Sequence, residues 1–156
     1  REGLGRANLA AGRNGKAAVA FADTLGLLAR SAAKTPPDWE RVDALCLSLV
    51  DALERVALGY RSGTMTRQDV FDANERTQAV TDVLADFPVV RDADPLTNVA
   101  FAQRALAYDL LGQAAAGELE ALKSPKSTGA ADAVVFREQA RRAVVSARAA
   151  GKTGSK

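Results

Sequence analysis

Thr35-Pro36-Pro37-Asp38-Trp39-Glu40-Arg41-Val42-Asp43-Ala44-Leu45-Cys46-Leu47-Ser48-Leu49-Val50-Asp51-Ala52-Leu53-Glu54-Arg55-Val56-Ala57-Leu58-Gly59-Tyr60 decides the fold. Trp39, Val42, Leu45 with Cys46, Leu49, Leu53, Val56 and Tyr60 recur three and four residues apart, the period of one face of an α-helix. Leu47, Val50 and Leu58 widen the stripe, so this helix reads as central to a bundle or as facing a second surface. The stretch carries its own start signal. Thr35 offers a capping oxygen, proline fits the first helical position, and Asp38 and Glu40 suit the positive end of the helix dipole. Arg61-Ser62-Gly63 closes it, with Gly63 able to take the left-handed cap.

Upstream, Ala18, Phe21, Ala22, Leu25, Leu28, Ala29 and Ala32 mark a helix that starts at Lys16 and stops before Pro36-Pro37. Arg1 to Gly15, with four Gly and two Asn, reads as a loosely structured basic arm holding a single helical turn at Ala7 to Ala11. Downstream, Thr66-Arg67-Gln68-Asp69 has the form of a capping box. It opens a helix carrying Val70, Ala73, Thr77, Val80, Leu84 and Phe87, which Pro88 ends. Asp94-Pro95 starts a fourth helix whose face is Leu96, Val99, Ala100, Leu106, Leu110, Ala114 and Leu122, with Phe101, Tyr108 and Leu111 to one side. Gly112 and Gly117 weaken its second half and suggest a kink or a close helix contact. After a polar linker, Lys123 to Gly129, a last helix runs from Ala130 to about Ala150 on Ala133, Phe136, Ala140, Ala143, Val144 and Ala147. Gly151 ends it and Lys152 to Lys156 should fray.

No stretch alternates with period two for long enough to make a strand. The expected class is all-α: an up-and-down four-helix bundle over residues 16–122 with an additional basic C-terminal helix. Residues 1–15 form a flexible basic N-terminal arm in this reading. Residues 123–156 form the linker, the basic helix and a frayed tail.

Charge is sorted along the chain. Arg1 to Pro37 carries net +4, Asp38 to Leu122 net −8, and Lys123 to Lys156 net +6. Such blocks suit a protein held among partners. Alanine makes up about a fifth of the residues and aromatics only 5%. Helices therefore form readily, while the core is thin and benefits from a partner surface. No apolar stretch reaches the length of a membrane span, which leaves peripheral association as the only membrane role. The chain opens on Arg rather than Met. Its Arg-rich, acid-poor beginning has the flavour of the remnant of an organellar targeting region. That places an organelle slightly ahead of a bacterial or phage assembly.

Histidine is absent, which removes Ser-His-Asp and Cys-His catalysis and the Glu-x-x-His pairs of a di-iron bundle. A single Cys46 gives neither a disulfide framework nor a zinc site, and its apolar neighbours make it a buried small hydrophobe. Ala10-Ala11-Gly12-Arg13-Asn14-Gly15-Lys16-Ala17 has Ala where a phosphate-binding loop needs its first Gly and its Ser or Thr, and no strand precedes it. Asp69, Asp72, Glu75, Asp82 and Asp86 lie one turn apart in pairs, yet Arg67 and Arg76 among them make a solvated, paired face. Asp92 and Asp94 read as cap residues. No catalytic residue, metal ligand or cofactor site is expected.

Arg137, Arg141 and Arg148 lie along one side of the last helix, with Arg142 beside them. The stripe suits phosphate or anionic lipid. It equally suits the chain's own acidic middle or an acidic neighbour. It lacks the interleaved aromatics that stack on bases. With Trp39 and Tyr60 at the two ends of the central helix, these three arginines are the expected partner contacts.

Two local resemblances accompany this reading. Tyr60-Arg61-Ser62-Gly63, Arg67-Gln68-Asp69-Val70 and Asp72-Ala73 resemble a turn-to-helix stretch of outer-membrane efflux channels of the TolC type. The membrane strands and long coiled helices of that family are missing, so the likeness stays local. Asp38-Trp39-Glu40-Arg41-Val42, opening the second helix of a small basic-tailed bundle, is similar to extrinsic PsbQ-type subunits of photosystem II. That likeness implies a small extrinsic four-helix subunit of a photosynthetic complex. The general expectation is a non-catalytic helical accessory or structural subunit that joins other protein subunits of a larger, organellar, membrane-associated complex. The alternative is a basic-armed protein binding nucleic acid or an anionic surface.

Overall fold

The computed structural model describes residues 2–32, 34, 37–85 and 95–154. Among them the chain is helical, with no strand: α1 (Glu2–Ala10), α2 (Asn14–Ser31), α3 (Trp39–Ser62), α4 (Arg67–Leu84), α5 (Pro95–Lys123) and α6 (Gly129–Gly154). The expected cap Thr35, and Asp86, Phe87, Pro88, Asp92 and Asp94, lie outside the described residues.

α3 forms where its apolar period requires it. Asp38, not the expected Thr35, caps it, its side chain accepting a hydrogen bond from the Arg41 backbone N–H at 3.3 Å, so the helix begins at Trp39 rather than at the prolines. Gly63 ends it at φ 84°, a conformation that costs glycine no Cβ clash. Val42, Leu45, Cys46, Leu49, Val50, Leu53 and Val56 are buried, while Tyr60 and Leu58 are exposed. α4 opens on the expected capping box. The Thr66 hydroxyl accepts from the Asp69 N–H at 3.1 Å, and Asp69 Oδ2 accepts from the Thr66 N–H at 2.8 Å. Val70, Ala73, Thr77, Val80 and Leu84 face the core.

Three further expectations are corrected. The N-terminal arm is a helix, not a loose tether. Gly5 is buried so close to Phe21 that a Cβ at residue 5 would come within 2.7 Å of its ring. Glu2 also accepts a hydrogen bond from Arg41 Nε at 3.0 Å, joining α1 to α3. Of the glycines that suggested flexibility, Gly5 is the one that lets α1 approach α2. α6 continues past Gly151 to Gly154. The buried face of α5 is also only partly the expected one, for Ala100, Leu110 and Ala114 are buried as expected but others differ. Ala100, Arg104, Ala107, Leu111, Ala114 and Glu118 turn inward, while Val99 and Leu106 are exposed.

α2 lies between α3 and α4, α5 lies against α4, and α6 closes the circuit between α5 and α3. The sequence neighbours α3 and α4 touch only lightly. α5 and α6 make the most extensive contact, as a hairpin over the five residues 124–128. Their backbones meet at Gly117 and Gly129. A Cβ on Gly117 would lie 2.5 Å from the Gly129 carbonyl oxygen, so only glycine permits this approach. No helix among the described residues is long and apolar enough to cross a membrane.

Candidate functional site

The chemistry gathers where α3 begins and α5 passes it. Asp43 sits inside the apolar stripe of α3, directly after Val42. Arg104 sits one turn after Ala100 in the buried stripe of α5. The Arg104 guanidinium donates from Nε to Asp43 Oδ1 at 2.9 Å and from Nη2 to Asp43 Oδ2 at 2.8 Å. Both side chains are more than nine-tenths buried. A bidentate fork of this kind is the geometry in which a buried ion pair offsets its own desolvation.

Aromatic rings cover the pair. Arg104 Cζ lies 4.6 Å from the Trp39 ring centroid and 5.9 Å from that of Phe101. Trp39 and Phe101 meet edge to face, centroids 5.1 Å apart at 83°. Below them, burial and then the nearby Asp43 push the Cys46 thiol up to about 12. Burial, with Cys46 and then Asp43, raises the Tyr108 phenol, against an opposing effect of Arg104. Both groups stay protonated at neutral pH and are poor nucleophiles.

This cluster separates two cavities. One, of about 670 Å³, runs between α4 and α5, with Trp39, Phe101 and Tyr108 among its walls. The other, of about 320 Å³, is bounded by Trp39, Glu40, Thr97, Arg104 and Arg148. Among the described residues, no group of three or more Cys, Asp or Glu side chains converges as a metal site would require.

The five anticipated contact residues do not form one surface. Trp39 and Tyr60 stand at opposite ends of α3, about 30 Å apart at 1.5 Å per residue. Trp39 is half-buried over Arg104, and Tyr60 is exposed. Arg137 Nη1 reaches Glu118 Oε1 of α5 at 2.7 Å, and both are buried. Arg141 bridges Asp51 and Glu54 of α3, each at 2.7 Å. Two of the three arginines thus grip the chain's own acidic middle, one of the readings their stripe allowed. Arg148 borders the smaller cavity, and among the described residues no carboxylate lies within ion-pair distance of it.

Sequence reasoning missed Asp43, Arg104 and Glu118. The signal was present: each is a charge placed on an apolar stripe, and each meets an opposite charge from another helix, Asp43 with Arg104 and Glu118 with Arg137. No family model, curated protein or solved structure matches the chain.

Proposed function

We propose that the chain is a non-catalytic helical accessory subunit that joins a larger assembly through protein contacts. In this reading α2 to α5 are an up-and-down four-helix bundle and the basic α6 is an added helix. A peripheral place on an organellar membrane complex is the favoured setting.

The supporting observation is the outer face where α6 runs beside α3. Leu58, Val134 and Val145 are 58%, 45% and 53% exposed. Leu58 stands one turn beyond Glu54, Val145 one turn beyond Arg141, and Val134 two turns before it. The three apolar side chains therefore flank the Asp51–Arg141–Glu54 cluster. Apolar groups around an already satisfied charge cluster resemble the core of a protein interface more than an ordinary solvated face. The nucleic-acid alternative is weakened, because Arg137 and Arg141 already have carboxylate partners.

The test compares wild type with the double variant Leu58→Glu, Val145→Glu by native mass spectrometry of protein isolated from its source. Circular dichroism checks that the variant keeps its helices. A complex of fixed stoichiometry that the variant loses supports the reading. A monomer in both samples, or a complex indifferent to the substitutions, refutes it. Steeply salt-dependent DNA or RNA binding lost in Arg148→Ala would favour the alternative instead.

A further inference from the structure

We propose that the cleft between α4 and α5 binds a small organic cation with a flat apolar body. Apart from Trp39 at the start of α3, the cleft is lined by residues 78–85 and 98–116, and by none of Leu58, Val134 and Val145, so the inference is independent of the subunit reading.

Its size and shape come first. The volume, about 670 Å³, falls among small-molecule pockets. The cleft follows α5 from Asn98 to Ala116, about 27 Å at 1.5 Å per residue. A planar ring system fits such a volume. The space exists because α5 presents Ala102, Ala105, Gly112 and Ala116 along this face. None of these side chains is large enough to fill it.

The walls then select the chemistry. Trp39, Phe101 and Tyr108 provide aromatic, apolar surface, which suits a flat ring system. Arg104 is the one cationic side chain among the described residues that lines the cleft, and Asp43 neutralises it through both oxygens. Asp82 on α4 and Asp109 on α5 stand on opposite walls, both exposed. Asp109 accepts a neutral amide hydrogen bond, from Gln113 Nε2 at 2.7 Å. Neither carboxylate has an ion-pair partner among the described residues. The mouth is therefore negative above an apolar floor, which draws in cations and repels anions.

Trp39 is the sole tryptophan, so its fluorescence reports on the cleft directly. Three probes of one shape separate charge from size: N-methylacridinium, neutral acridine at mildly alkaline pH, and acridine carboxylate. Quenching and calorimetry should show one-to-one binding of N-methylacridinium, roughly ten-fold tighter than acridine, with the carboxylate weakest. The double variant Asp82→Asn, Asp109→Asn should erase that order without changing the thermal melt. Ala105→Phe, which fills the cleft, should abolish binding of all three. Equal affinity for the three probes, an order that survives the double variant, or no binding of N-methylacridinium at millimolar concentration overturns the proposal.

Discussion

Asp43 and Arg104, on different helices and sixty-one residues apart, share two hydrogen bonds of 2.9 and 2.8 Å with both side chains more than nine-tenths buried. The pair locks the start of α3 to the middle of α5, and Trp39 and Phe101 lie over it. Removing one partner leaves the other charge buried and alone.

Arg104→Ala should therefore cost roughly 3–5 kcal/mol of stability in urea unfolding. Replacing both partners, Asp43→Leu with Arg104→Met, should cost much less, because no charge is stranded. Trp39 emission should change in both variants, since each removes the guanidinium from its ring. Equal losses in the single and double variants would mean that packing, not charge, holds this site.

Arg137 and Arg141 are one turn apart on α6 and should behave differently. The Arg137 side chain is 3% exposed and its partner Glu118 is 8% exposed. Arg137→Ala should cost roughly 3–5 kcal/mol and respond little to salt. The Arg141 side chain is 27% exposed, facing Asp51 at 48% and Glu54 at 36%. Arg141→Ala should cost under about 1 kcal/mol, less at high ionic strength. Denaturant melts at two salt concentrations distinguish the two.

Gly117→Ala places its Cβ 2.5 Å from the Gly129 carbonyl oxygen. Backbone cannot swing aside as a side-chain tip can. The overpacking should cost roughly 1–3 kcal/mol, more than the ~1 kcal/mol that alanine contributes to helix propensity. Gly3→Ala is the control: it is exposed and helical, with no atom within 4 Å of the new Cβ. That substitution should raise the thermal midpoint or leave it unchanged.

Cys46 makes stability depend on alkaline pH. Its folded thiol is pushed up to about 12 from an ordinary 9.0, so the unfolded chain loses this proton first. The contribution is complete below pH 9.0 and is lost progressively as pH rises toward about 12. Burial of Tyr108 acts in the same direction. Cys46→Ala should flatten the decline in part. Iodoacetamide labelling of the native protein should proceed only at the rate of unfolding. Rapid labelling under native conditions would show that the thiol is accessible.

The helices were legible where local signals agree. α3 follows from its stripe and Gly63, α4 from Thr66 and Asp69, and α6 from its alanine face. α1 was misread because Gly3 and Gly5 look like breakers until Phe21 is seen to occupy the space that Gly5 leaves. The buried face of α5 was legible at Ala100, Leu110 and Ala114, and the rest was missed by a rule that keeps charges outside. Arg104 and Glu118 break that rule because Asp43 and Arg137 meet them inside.

By itself, the sequence determined that this chain is helical, that α3 carries a long buried apolar stripe, and that the chain brings no histidine to any chemistry. These properties rest on residue type and on periods of three and four, which are local. Only the tertiary structure decided which charges are buried, which arginines bind the chain itself, and where small side chains leave a cleft. Those outcomes depend on pairings across tens of residues. The free energy of a buried charge is set by the partner that reaches it, and no local pattern names that partner.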